Sequence, residues 1–115
     1  MEFDSRIQDG INVLRPHGRI DLDHANAFGE GLDPHLALAT ADGAPLVLDF
    51  SQVPYISSVG LRVLMLASRR VNAQQGKLAM AALTPLVAEV FRISRFDMVL
   101  RVFDTVDAAV TALQA

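Results

Sequence analysis

Hydrophobic positions change their period along this chain, and each change marks an element. Across residues 2–7 a period of two puts Phe3, Ser5 and Ile7 on one side, and Asp9-Gly10 makes a turn before the apolar run 11–14. That pattern predicts an opening antiparallel hairpin with one face toward solvent. Phe28, Leu32 and Leu36 then recur at helical spacing behind Asp21 and Asp23, with Asp33-Pro34 able to interrupt or restart the helix. Residues 45–50 form a short apolar run after the turn signal Asp42-Gly43, as in a central strand covered on both faces. Residues 59–72 contain no proline, and Leu61, Leu64, Met65, Ser68 and Val71 form a mostly apolar stripe, with Ser58 as the natural N-cap.

Gln75-Gly76 closes that helix, and residues 77–81 read as a further strand, weakened by its alanines. Thr84-Pro85 fits an N-cap followed by proline at the first helical position, leading into Leu86, Val87, Val90 and Phe91. Residues 98–103 read as a last strand, and Asp104 is placed to cap a terminal helix whose Val106, Ala109, Val110 and Leu113 share one side. The order predicts a single α/β domain over residues 1–115. Its mixed sheet has about five strands, with about four helices.

Composition narrows the function. At 115 residues and 51% hydrophobic, the chain suits one packed domain rather than a disordered segment. Ten basic against thirteen acidic residues leave a net charge of −3, which argues against nucleic-acid binding through bulk electrostatics. With no cysteine there is no disulfide, thiolate metal site or thiol nucleophile. The acidic start, Met1-Glu2-Phe3-Asp4, lacks a basic signal region, and no apolar stretch is long enough to span a bilayer. A cytoplasmic protein without membrane insertion is expected.

Candidate chemistry concentrates between Leu48 and Leu61, where two hydroxyls pass from a buried strand to the start of an apolar helix. Asp49-Phe50-Ser51, Ser57-Ser58-Val59-Gly60-Leu61 and Gly18-Arg19-Ile20-Asp21 together resemble the phosphoacceptor region of STAS domains. More specifically, they resemble the stand-alone anti-sigma factor antagonists of bacterial partner-switching circuits. In that family the phosphorylated serine lies two residues before the glycine, which implies Ser58. The preceding position is often Asp; Ser57 stands there instead and is the second candidate.

The resemblance implies that this chain is a non-enzymatic binding switch whose partner is an anti-sigma factor with serine kinase activity, which binds the unmodified antagonist, releases its sigma factor and phosphorylates the antagonist from ATP. A PP2C-type phosphatase would reset the cycle. Asp21 and Asp23 suit the start of the first helix, where acids complement its dipole; the resemblance implies that they also help orient the complex. Val59, Val63 and Leu66, with Arg62 and Arg70 beside them, fall opposite the core stripe and make an apolar patch with a basic rim. With Ser57 and Ser58 they complete the candidate partner surface, and Gly60 leaves room for close approach.

Other readings stay in view. The change from Asp to Ser57 suits a constitutive STAS scaffold or transporter-associated subunit, which needs no phosphate. His17, His24 and His35 show no compact metal-ligand spacing, so neither a metal nor another cofactor is expected. Ser58 has no sequence-evident base, and Asp42-Gly43-Ala44-Pro45 is a turn rather than a phosphate loop, so an esterase or nucleotide hydrolase ranks last.

Overall fold

The computed structural model describes residues 1–114. β1 (Glu2–Gln8) and β2 (Ile11–His17) pair antiparallel, with Gln8 opposite Ile11, so the hairpin loop is Asp9-Gly10 alone. Both loop residues have positive φ, 51° and 80°, the geometry of a type I′ turn that matches strand twist. Then follow α1 (Ala25–Leu38), β3 (Leu46–Asp49), α2 (Ser58–Ala73), β4 (Leu78–Ala81), α3 (Pro85–Ser94), a 3-10 turn (Phe96–Met98), β5 (Arg101–Phe103) and α4 (Val106–Leu113). The strands lie in chain order, and every pair after the hairpin is parallel.

Alternation along the central strands divides two cores. Leu46, Leu48 and Phe50 face the layer of α1, α2 and α3, with Phe28, Leu32, Leu64, Met80 and Phe91. Val47, Ala79 and Ala81 face α4 and its Ala109, Val110 and Leu113. The alanines that weaken β4 as a sequence signal are therefore the small side chains that let α4 lie close. Phe28 and Phe50 meet edge to face, 6.1 Å between centroids, and Phe50 ends the stretch that leads into the segment carrying the two serines.

Several boundaries differ from the sequence pattern. Only Phe3 of β1 turns inward, over Gly31 of α1, whereas Ile7 is exposed, because no helix covers this edge strand so far out. Pro34 does not break α1; its missing N–H frees a carbonyl on the exposed side. The last strand shrinks to three residues because the chain first makes the 3-10 turn, which leaves Met98 and Val99 exposed. Thr105, not Asp104, caps α4, accepting from the Ala108 N–H at 3.0 Å. Thr84 occupies the N-cap position of α3, but its hydroxyl donates to the Val53 carbonyl at 2.8 Å, tying α3 to the loop after β3.

One core-edge histidine makes a pH prediction. Asn12 Nδ2 lies 2.8 Å from His35 Nδ1, so the amide donates to an unprotonated ring nitrogen, and burial pushes the His35 pKa below its ordinary 6.5. A depressed histidine pKa means that the unfolded chain takes up its proton first on acidification. Stability is therefore complete above about pH 7 and falls as pH drops through about 6.5 toward the folded value. Urea midpoints at pH 7.5 and 5.5 should show this loss, and His35→Gln should reduce it.

Candidate functional site

The segment between β3 and α2 is held by a second, short parallel pairing outside the main sheet. Gly18 N donates to Gln52 O (2.9 Å), Ile20 N to Tyr55 O (2.9 Å) and Ser57 N to Ile20 O (2.8 Å), with Ile20 bridging Ile56. Arg19 lies over the Tyr55 ring, 4.5 Å to its centroid. Asp49 starts the turn that makes this possible: its buried carboxylate accepts the Ser51 N–H at 2.9 Å. The two motifs, around residues 18–21 and 57–61, are thus brought together by backbone hydrogen bonds, and Asp21 stands beside the start of α2.

Ser57, not Ser58, is the N-cap of α2. The bridge keeps the chain extended through Ser57, at ψ 171°, and its hydroxyl accepts from the Gly60 N–H at 3.2 Å. Ser58 is the first helical residue; it is exposed, and its hydroxyl bonds to no protein group among the described residues. One serine is committed to structure while the other is presented to solvent at the positive end of a helix dipole.

Gly60 also differs from its sequence reading, because the close approach it permits is inside the molecule. A Cβ there would lie 2.7 Å from Ile56 Cγ1, 2.8 Å from Ile20 Cγ2 and 3.3 Å from the Ile20 carbonyl oxygen. Overpacking of this kind costs about 1–3 kcal/mol, more than the roughly 0.5–1 kcal/mol that alanine returns in helix propensity. Gly60→Ala should therefore lower the thermal midpoint, as circular dichroism would read directly.

Around Ser58 the surface is mixed. Asp21 accepts from the His24 ring nitrogen at 2.6 Å and from the His24 N–H at 3.1 Å, and the His24 ring contact, helped by the Arg19 charge, holds its carboxyl below the usual carboxylate range. Asp23 is exposed, as are Val59, Arg62 and Leu66. Val63 is half-buried instead, because it faces the groove between α1 and α2, beside Gly29 and Asp33. Arg70 is not a free rim charge; it pairs with Asp33 of α1 at 2.6 Å. Met65 sits at the margin of the core, and Ala67 takes its place where α1 crosses. Leu22, 71% exposed between Asp21 and Asp23, is a surface residue that periodicity missed. Its signal was present as a lone large apolar residue between two acids, outside any helical stripe.

The histidines do not converge. His17 pairs with Asp4, His24 with Asp21 and His35 with Asn12, and among the described residues no group of ligands could hold a metal. No helix among the described residues is long and apolar enough to cross a membrane.

The sequence model of the STAS domain matches residues 2–109. The chain belongs to the STAS domain family. BtrV of Bordetella bronchiseptica, whose name provisionally makes it an anti-sigma factor antagonist, is 38% identical over 107 residues, covering 92% of this STAS domain chain and 89% of that protein. An anti-sigma factor antagonist from Mycobacterium paratuberculosis has the same fold, with a TM-score of 0.87 and 24% identity over 99% of this chain and 94% of that one. Bacillus SpoIIAA shares the fold in its unphosphorylated form, at a TM-score of 0.75 and 17% identity over 98% of this chain and 96% of that one. Its phosphorylated form gives 0.66 at 15% identity, over 96% and 98%.

Proposed function

We propose that this STAS domain is a phosphorylation-controlled anti-sigma factor antagonist. Unmodified, it binds an anti-sigma factor with serine kinase activity and so frees a sigma factor. The kinase transfers the γ-phosphoryl group of ATP to Ser58 Oγ, releasing ADP, and the modified antagonist dissociates. A PP2C-type phosphatase hydrolyses the phosphoester and restores the binding form.

The observation that carries this reading is the division of labour between the two serines. Ser57 Oγ is occupied as the cap of α2, whereas Ser58 Oγ is exposed and unpaired at the next position. Asp21, Leu22 and Asp23 ahead of α1, and Val59, Arg62 and Leu66 along α2, are exposed or partly exposed and supply the mixed apolar and charged groups of a protein-docking surface, and Val63 extends it into the α1–α2 groove. None of the three histidines is bonded to Ser58, which suits a substrate hydroxyl better than a catalytic nucleophile. The relative named as an anti-sigma factor antagonist covers nearly the whole chain, which supports the choice of partner.

The test is to incubate the protein with its cognate anti-sigma factor and ATP, then locate the phosphate by mass spectrometry. A phosphate found on Ser58 and absent from Ser58→Ala supports the reading. A phosphate on Ser57 alone, or no modification at all, overturns it.

A further inference from the structure

We propose that a second site lies on the flank of α2 away from α1: a cavity that takes a phosphate-bearing anion, as the free ion or a small monoester. The cavity measures about 220 Å³. Ligand pockets for larger molecules begin near 300 Å³, so the space suits a phosphate or a compact ester rather than a whole nucleotide.

Its walls come from distant parts of the chain: Ser68 and Asn72 of α2, Lys77 and Leu78 at the start of β4, and Val99 and Arg101 around the start of β5. Among the described residues no carboxylate side chain lines it, although the chain as a whole carries a net charge of −3. Arg101 makes no ion pair among the described residues; its guanidinium rests near the Phe103 ring, 5.4 Å from the centroid, which leaves its N–H fork available. Lys77 adds positive charge to the same wall while also donating to the Leu113 carbonyl at 3.4 Å.

Ser68 points to a ligand independently of the charges. The residue is only 6% exposed, and no protein group among the described residues hydrogen-bonds its hydroxyl. No buried side-chain oxygen is left unsatisfied in the described fold, so this oxygen opens into the cavity it lines. The hydroxyl therefore has its hydrogen-bonding capacity to offer whatever occupies the cavity. The negative end of α2 is softened here, because the Val71 and Asn72 carbonyls accept from the amides of Gly76 (2.9 Å) and Gln75 (3.0 Å). A guanidinium fork, an ammonium, a hydroxyl and a carboxamide drawn from three segments suit the several acceptor oxygens of a tetrahedral phosphate better than a planar carboxylate.

Ser68 is ten positions beyond Ser58, about 15 Å along the helix, so this site stands or falls separately from the phosphoacceptor. The test is an NMR titration of the ¹⁵N-labelled full chain with inorganic phosphate and with O-phosphoserine, using acetate and chloride at matched ionic strength as comparators. Saturable shifts are expected at the Ser68, Asn72 and Leu78 amides and the Arg101 Nε–H. Arg101→Gln should weaken binding at least tenfold and Ser68→Ala severalfold, while Arg6→Gln, on β1 at the opposite edge of the sheet, leaves it unchanged. Saturation by inorganic phosphate alone assigns the free ion, and saturation by both ligands assigns a monoester site; either supports the proposal. Shifts that do not saturate, that acetate reproduces, or that persist in Arg101→Gln would overturn it. If Arg101→Gln loses the native spectrum, Arg101→Lys replaces it under the same criterion, since it keeps the charge but not the fork.

Discussion

Phosphate on Ser58 should weaken binding to the anti-sigma factor at least a hundredfold while leaving the thermal midpoint of the free protein unchanged or slightly raised. The two effects have opposite signs because they act in different places. At the first residue of α2 a phosphate adds about −1.5 to −2 charges near unpaired backbone N–H groups, and a helix N-terminus favours negative charge by roughly 0.3–2 kcal/mol. Within an interface, two like unit charges ~5 Å apart at an effective dielectric of ~20 repel by about 3 kcal/mol, before desolvation. A hundredfold in affinity is only about 2.7 kcal/mol, so the repulsion at the interface decides the outcome. Isothermal titration of the anti-sigma factor with unmodified protein, phosphoprotein and Ser58→Ala reads it: the alanine variant should bind like the unmodified form. Equal affinity of the phosphorylated and unmodified proteins would rule out a switch at this residue.

Phe50→Ala should remove about 3–5 kcal/mol of stability, the usual cost of emptying a buried phenylalanine site. A domain of this size has about 5–15 kcal/mol in total, so a substantial part of the margin goes and the thermal midpoint falls by roughly 15 °C. Phe50 is fully buried, bonds through its backbone N–H to Ala81 O at 2.9 Å, and packs edge to face on Phe28. It also precedes the loop that delivers Ser57 and Ser58. Hydrogen exchange at the α2 N-terminus should therefore quicken in this variant more than exchange in α4, which packs on the other face of the sheet. A double-mutant cycle with Phe28→Ala should return a coupling of about 0.5–1.5 kcal/mol for the ring pair itself. A loss below 1 kcal/mol in Phe50→Ala would mean that this ring does not brace the site.

The order of elements was legible because side-chain period is a local property. The two-residue turn Asp9-Gly10, the continuous apolar strand at 45–50 and the stripe of Leu61, Leu64 and Val71 each announce their own geometry without reference to the rest of the chain. Boundaries were less legible. Residues 98–103 are apolar enough for a strand, but only three of them find a partner beside β4. Asp104 and Thr105 are both competent caps, and the choice rests on which hydroxyl or carboxylate meets an unpaired amide.

For the site, the sequence alone established that two adjacent serines open a helix, and its motifs placed the chain near the STAS domains. It could not say which serine is spare. That depended on the pairing of residues 18–20 with residues 52–57, which holds the chain extended one residue longer than periodicity implies and turns Ser57 into the cap. The same contact moved Gly60 from the partner surface to the interior. Only tertiary structure assembled the cavity around Ser68, because Arg101 approaches α2 through strand order, across separations that no local pattern encodes. Helix and strand formation follow from neighbours in the chain, whereas hydrogen-bond partners and charge environments are set by whatever the fold brings alongside.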